Sequence, residues 1–275
     1  MKYKVFMLVL LSSLIWIVVL APANIMARLL PVNSSLVLQG ITGSVWSGAV
    51  SRAALIVDSK MLAQGRVEWQ IRPLSMLRLS PCVDFNIDNN GPQASGGGSS
   101  AIVVAVAGVA CVSTSGKLAM RDVAFDMPAA IFLRSPELRL GGEISGQLTE
   151  LEWQSGSLVD LRGQGLWTDA MILSDQLNLP LHTLPFDFRR ENGDSVFVEL
   201  DNKDLLAQQQ GTPLHVSLQS RVALDGGFYT LAQLTTQPQT PVAVIELLNV
   251  LAEPQGAGVF TLEVRSKLLT VNPEP

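Results

Sequence analysis

Cys82 and Cys111 are the two cysteines of this sequence and the residues best suited to covalent chemistry. The 28 residues between them match neither a redox pair nor a metal-binding cluster. In an exported chain they have one intrachain pairing, a disulfide worth roughly 3–4 kcal/mol through the reduced entropy of the unfolded chain. The alternative is two buried free thiols. We predict the disulfide.

The other residue types that perform catalysis or bind metals are few and scattered. His182 and His215 are the two histidines, and neither has a cysteine or carboxylate neighbour at ligand spacing. Asp84 and Asp88 could be imagined as a carboxylate pair, but a strand followed by a turn explains them better. The sequence contains no phosphate-binding loop and no Gly-x-Ser-x-Gly elbow. We therefore predict a non-enzymatic protein with no catalytic residue, no cofactor and no metal site.

The N-terminal segment predicts a membrane anchor. Lys2 and Lys4 precede the uncharged run Val5–Ala23, whose 19 residues approach the roughly 20 that span a bilayer as a helix. Because lysines on the short side hold that side in the cytoplasm, residues 1–4 are predicted to be cytoplasmic and residues 5–25 to be a single transmembrane helix.

A cleaved signal peptide is the alternative interpretation of this segment. Ala21-Pro22-Ala23 resembles a small-residue cleavage site, although a cleaved apolar core is usually only about 7–15 residues long. On both interpretations residues 30–275 lie outside the cytoplasm, where a disulfide persists.

Composition excludes one class of partner. The net charge is −5, and 16% of residues are charged against roughly 25% in a typical soluble domain. The chain therefore has no basic footprint for nucleic acid.

The elements that must position these residues are mainly β-strands. Short apolar or alternating runs bounded by turn formers recur, and no long helix follows each strand as parallel βαβ units require. Residues 128–134 and 241–252 are typical of short helices. We read 96–100, a Gly/Ser stretch, as a hairpin loop and not as a linker. The fold is predicted to be an antiparallel sheet with strands at residues 34–39, 53–57, 65–71, 82–87, 101–106, 142–153, 158–167, 195–200, 214–224, 228–234 and 259–264.

Glycine and tryptophan recur together in these strands. Glycine permits a bulge or a close backbone approach, and tryptophan offers a large apolar plate for a sheet face. The clusters predict two loosely related β halves, residues 30–135 and 136–275, whose tryptophans pack a core; a carbohydrate platform is the less favoured alternative. The motif residues are Gly40, Gly43, Trp46, Gly48, Gly65, Trp69, Gly146, Trp153, Gly163 and Trp167.

Three long stretches carry a resemblance to a known family. They are LQGITGSVWSGAV, GRVEWQIRPLSML and GGEISGQLTELEWQSGSLVDLRGQGLWTDAMI, and they follow one N-terminal apolar segment. In this combination the sequence resembles the type II secretion system protein N family, and the likeness is concentrated at residues 36–78 and 140–173.

The resemblance implies a location and a function. It implies a Gram-negative inner-membrane protein with a single pass and a periplasmic β domain, which serves the export of folded proteins across the outer membrane. Its partners would be other secretion-system subunits of the inner and outer membranes, and the family brings no catalytic residue. The alternative from the residues themselves is an envelope lipid-handling module whose apolar β groove contacts lipid.

Overall fold

The computed structural model describes most of the chain after the N-terminal segment. The described residues are 3, 6–7, 13, 16, 20–25, 36–57, 60–76, 79–88, 104–131, 139–173, 178–203, 214–223 and 227–267. Among them, no helix combines the length and the apolar character needed to cross a bilayer. Most of residues 5–25 lie outside the described residues, and the anchor stays a prediction.

Fourteen strands and two α-helices make up most of the described residues. The strands are β1 (Leu36–Gly43), β2 (Ser47–Val57), β3 (Lys60–Arg72), β4 (Cys82–Asp88), β5 (Ala105–Val112), β6 (Leu118–Pro128), β7 (Arg139–Gln154), β8 (Ser157–Leu173), β9 (Asn178–Arg190), β10 (Ser195–Asp201), β11 (Leu214–Ala223), β12 (Gly227–Thr236), β13 (Glu253–Gly256) and β14 (Val259–Lys267). The helices are α1 (Pro73–Met76) and α2 (Val242–Leu251), and a 3-10 turn spans Ala129–Ile131.

The strands pair in nearly the order in which they occur along the chain. The hydrogen-bonded order runs from β1 to β12 without interruption and continues with β14 and then β13. Every pairing of defined register is antiparallel. Consecutive antiparallel strands need only short connections, and the predicted antiparallel sheet is confirmed.

The two predicted helices have different outcomes. The one at 241–252 is confirmed by α2, which ends where Ala252 takes an extended conformation two residues before Pro254. The one at 128–134 is wrong in its described part, because Pro128 still belongs to β6 and only a single 3-10 turn follows. Residues 132–134 and the predicted loop at 96–100 lie outside the described residues.

The chain divides into two compact units. The first comprises residues 1–101 and 109–114, and the second comprises residues 102–108 and 115–275. The predicted halves, 30–135 and 136–275, concern a duplication of sequence and stay a prediction.

A single helix closes the core of the second unit. Val244 and Leu248 on α2 pack in one cluster with Leu184, Leu214 and Phe260 from strands β9, β11 and β14. Val244, Leu184 and Leu214 are each only 1% exposed. Since fully burying a side chain of this size contributes about 1.5–3 kcal/mol, α2 is an integral part of this unit.

A buried amide completes the strand pairing beside β11. Asn202 is 1% exposed and directly follows β10. Its Nδ2 donates to the carbonyl of Leu214 at 3.1 Å, and its Oδ1 accepts from the N–H of Val216 at 2.9 Å. The side chain therefore satisfies two backbone groups at the start of β11, as a neighbouring strand would.

Candidate interaction surface

The predicted disulfide is confirmed in the first unit. Cys82 begins β4, Cys111 lies near the end of β5, and their sulfur atoms are bonded. The N–H of Cys82 donates to Ser75 Oγ at 2.8 Å, and that hydroxyl donates to the carbonyl of Arg72 at 2.5 Å. These bonds hold helix α1 against the start of β4.

A bidentate ion pair lies beside this bridge. Arg72 donates from Nε to Asp84 Oδ2 at 2.8 Å and from Nη2 to Asp84 Oδ1 at 2.6 Å. These hydrogen bonds hold the pKa of the Asp84 carboxyl below its usual value. Asp88 lies four residues further along β4, about 13 Å away at the rise of a strand. The two carboxylates therefore do not form a catalytic pair.

The two histidines lie on different strands. His182 is in β9 and has φ +61. His215 in β11 places Nε2 at 3.0 Å from Asp201 Oδ1 at the end of β10. Within the residues that the structure describes, no group of three or more His, Cys, Asp or Glu side chains could hold a metal ion.

The first glycine–tryptophan cluster packs across neighbouring strands. Gly48 in β2 lies directly opposite Trp69 in β3, and the indole Nε1 of Trp69 donates to the carbonyl of Val45 at 3.1 Å. Gly43 has φ +92, and a Cβ there would lie only 2.8 Å from Gly48 Cα, so only glycine fits this turn. The remaining members are Gly40 in β1, Trp46 in the β1–β2 turn and Gly65 in β3.

In the second cluster the ring that covers each glycine is a phenylalanine. Gly146 in β7 lies opposite Phe125 in β6, and Gly163 in β8 lies opposite Phe188 in β9. The tryptophans of this cluster sit elsewhere on the same strands: Trp167 Nε1 donates to the carbonyl of Gly141 at 2.9 Å, and Trp153 pairs with Leu158. The glycines thus make room for rings that the sequence pattern had not connected with them.

Replacement of Gly48 with alanine tests this packing. A Cβ at Gly48 would lie 2.8 Å from Trp69 Cη2 and 2.7 Å from the carbonyl oxygen of Thr42. We expect Gly48→Ala to lower the free energy of unfolding by about 1–3 kcal/mol, as measured by chemical denaturation, because overpacking strains both neighbours.

The matched control is Gly48→Ala in a protein whose residue 69 is smaller than tryptophan. In a Trp69→Leu background the alanine has more space, and its cost is expected to fall by at least ~0.5 kcal/mol. An unchanged cost would show that the indole does not restrict this position.

Among the described residues, strand β1 presents an open edge except at its last residue, Gly43, whose carbonyl accepts from the N–H of Ala23. In the part of the chain that the structure describes, β2 is its one strand neighbour. Its eight residues, LVLQGITG, include no charge and no proline, and Gln39 and Thr42 are exposed. The last strand in the order, β13, has only four residues and includes Glu253 and Pro254, which hinder further pairing. Strand β1 is therefore the candidate interaction surface, because an open edge accepts a partner strand.

Comparison with known proteins identifies the family. The family model described as type II secretion system (T2SS), protein N, matches residues 34–263, which include β1, the disulfide and both glycine clusters. The chain belongs to the type II secretion system protein N family. Within this family it is similar to the type II secretion system protein N of Aeromonas hydrophila, with 25% identity over 280 residues that cover 98% of this chain and 100% of the relative. No solved structure matches the chain.

Membership of the protein N family confirms the resemblance found in the sequence. It supports a component of the type II secretion machinery in the envelope of Gram-negative bacteria, with other secretion subunits as partners.

Proposed function

We propose that the protein is a non-enzymatic, inner-membrane-anchored periplasmic component of the type II secretion machinery. It assists the export of folded proteins across the outer membrane by binding other subunits of the machine. The family match over residues 34–263 is the observation that carries this proposal.

The placement outside the cytoplasm is supported by the bond between Cys82 and Cys111. Disulfides persist in the periplasm and are rare in the reducing cytoplasm. The apolar run Val5–Ala23 provides the anchor, and the lysines before it orient the N-terminus towards the cytoplasm.

The mode of binding is strand addition at β1. Backbone groups along an open edge provide affinity, and the exposed side chains of Gln39 and Thr42 provide selectivity. A membrane tether raises the effective concentration of any partner that lies in the same bilayer, so a modest edge contact is sufficient.

Photocrosslinking from the membrane-embedded full chain tests this mode. A photoreactive residue replaces Gln39 on the edge strand, and the matched control replaces Gln147, an exposed glutamine on β7 between two paired neighbours. We expect Gln39 to capture secretion-system subunits and Gln147 to capture none. Equal capture at both positions would contradict strand addition.

The same experiment distinguishes the lipid-handling alternative. That function requires an open apolar groove along the sheet, whereas in the second unit Val244 and Leu248 of α2 fill the core next to Leu184. Recovery of phospholipid or lipopolysaccharide in place of a protein subunit would favour the alternative.

A further inference from the structure

The end of the apolar N-terminal segment is attached to the β1–β2 turn. The N–H of Ala23 donates to the carbonyl of Gly43 at 3.1 Å, and the N–H of Val45 donates to the carbonyl of Ala21 at 3.0 Å. Pro22 and Ser44 form an antiparallel bridge between these two bonds. Ala23 is 1% exposed, so this junction is packed as well as hydrogen-bonded. The segment therefore meets the first unit at a defined place.

That place lies at one end of the first four strands. Because the strands are antiparallel, β1 ends, β2 begins, β3 ends and β4 begins at this same end. The N–H of Ile71 donates to the carbonyl of Trp46 at 2.7 Å, which connects the end of β3 to the β1–β2 turn. The N–H of Val112 donates to the carbonyl of Pro81 at 3.0 Å, which brings the end of β5 next to the residue that precedes β4.

Large apolar side chains are exposed at this end. We call Leu74, Met76, Leu79 and Val112 the end patch; their exposed fractions are 76%, 38%, 68% and 46%. Leu74 and Met76 lie on α1, which buries no residue of its own. Exposed apolar side chains at one end of the strands favour a contact that water does not provide.

The N-terminal segment identifies the apolar medium that lies nearest to the end patch. The uncharged run begins at Val5, and its last residues, 21–23, pair with the β1–β2 turn. In the anchored topology proposed above, the residues before them lie in the bilayer. Trp46 lies in that turn, and tryptophan is enriched at the boundary between lipid and water. The bridge at Pro22 leaves no free linker between the segment and the turn, which keeps the end patch close to the lipid surface.

We propose that the end patch docks on the bilayer surface from which the N-terminal segment emerges, with Leu74 and Leu79 inserted among the lipid headgroups. This proposal rests on the anchored topology proposed above. The apolar side chains make the contact, and the guanidinium of Arg72 beside the patch is paired with Asp84. The docked unit stands on the membrane with strand β4 directed away from it, so that Asn86 lies further from the lipid than Cys82 does.

A lipid photocrosslink tests the docking. The full chain is reconstituted in vesicles of phosphatidylethanolamine and phosphatidylglycerol, with a photoreactive residue in place of Leu74. The matched control replaces Asn86, an exposed residue four positions after the start of β4. We expect at least about fivefold more phospholipid adduct at Leu74 than at Asn86. Interfacial insertion reaches only ~5–10 Å, and Asn86 lies about 13 Å along β4 from Cys82, where the strand begins.

The possible results distinguish failure of the docking proposal from failure of the anchored topology. Retention in the vesicles with equal adduct yields at the two positions would overturn the docking and leave the anchored topology intact. Release of the protein from the vesicles by alkaline carbonate would contradict the anchor itself. In native membranes, capture of a protein subunit at Leu74 in place of phospholipid would also overturn the docking.

Discussion

Replacement of both Cys82 and Cys111 with serine is expected to lower the free energy of unfolding by about 3–4 kcal/mol. The bond joins residues 29 positions apart and connects the start of β4 to the end of β5. Without it the unfolded chain regains the freedom of a long loop, while the hydrogen bonds of Ser75 around α1 remain. Guanidinium denaturation of the full chain in detergent measures the change.

The reduced native protein is the control for this prediction. Treatment with dithiothreitol should bring the native chain to the stability of the double variant and leave the double variant unchanged. An equal stability of native and double variant under oxidising conditions would show that the bridge does not stabilise the fold.

Replacement of Asn202 with alanine is the second large expected effect. The change leaves the carbonyl of Leu214 and the N–H of Val216 buried without their side-chain partner. Since each unsatisfied buried group costs about 1–3 kcal/mol, we expect Asn202→Ala to lower the free energy of unfolding by about 2–4 kcal/mol. The same denaturation measurement applies.

Two further variants test the cause of that loss. Asn249→Ala, on the exposed face of α2, is the matched control and should change stability by no more than about 0.5 kcal/mol. Asn202→Asp keeps the size of the side chain but removes the donor to Leu214, so a stability close to that of the native protein would contradict the role of the amide.

Much of the sheet could be predicted because apolar and polar residues alternate along its strands or because the strands end at residues that form turns. Gly65–Ile71 alternates across β3, and α2 follows from the helical spacing of its apolar residues and from Pro254. Strand β9 also alternates, at Leu184, Phe186 and Phe188, but it carries an opposing signal. Pro180 and Pro185 lie within it, and prolines argue against a central strand.

Bulges concealed other parts of the sheet. In β2 the register against β3 shifts between Val50, which pairs with Val67, and Ala53, which pairs with Gly65, so β2 has one extra residue there. The strand predicted at 53–57 begins only after this shift, whereas β2 begins at Ser47. An extra residue at a bulge reverses the alternation of faces, so a single period no longer fits the strand. The strand predicted at 101–106 overlaps β5 at Ala105 and Val106, and residues 101–103 lie outside the described residues.

The residues that meet across the strands are set by the register of strand pairing, and the sequence alone does not give that register. The repeated glycines were visible, but Phe125 and Phe188 become their partners only when β6 pairs with β7 and β8 pairs with β9. The contact of Ala23 with Gly43 joins the predicted anchor to the first hairpin, and no local pattern indicates it. Only the Cys82–Cys111 pairing followed from counting residues.

The consecutive order of the strands has a consequence for how the chain folds. When each strand pairs with the next one along the sequence, the loops to be closed are short and their entropic cost is small. The sheet can therefore grow by one hairpin after another from β1 onwards while the later residues of the chain are still unfolded. Strand β14 is the exception, since it must return past α2 to pair with β12. Folding in this order ends with the closure of the apolar core around Val244.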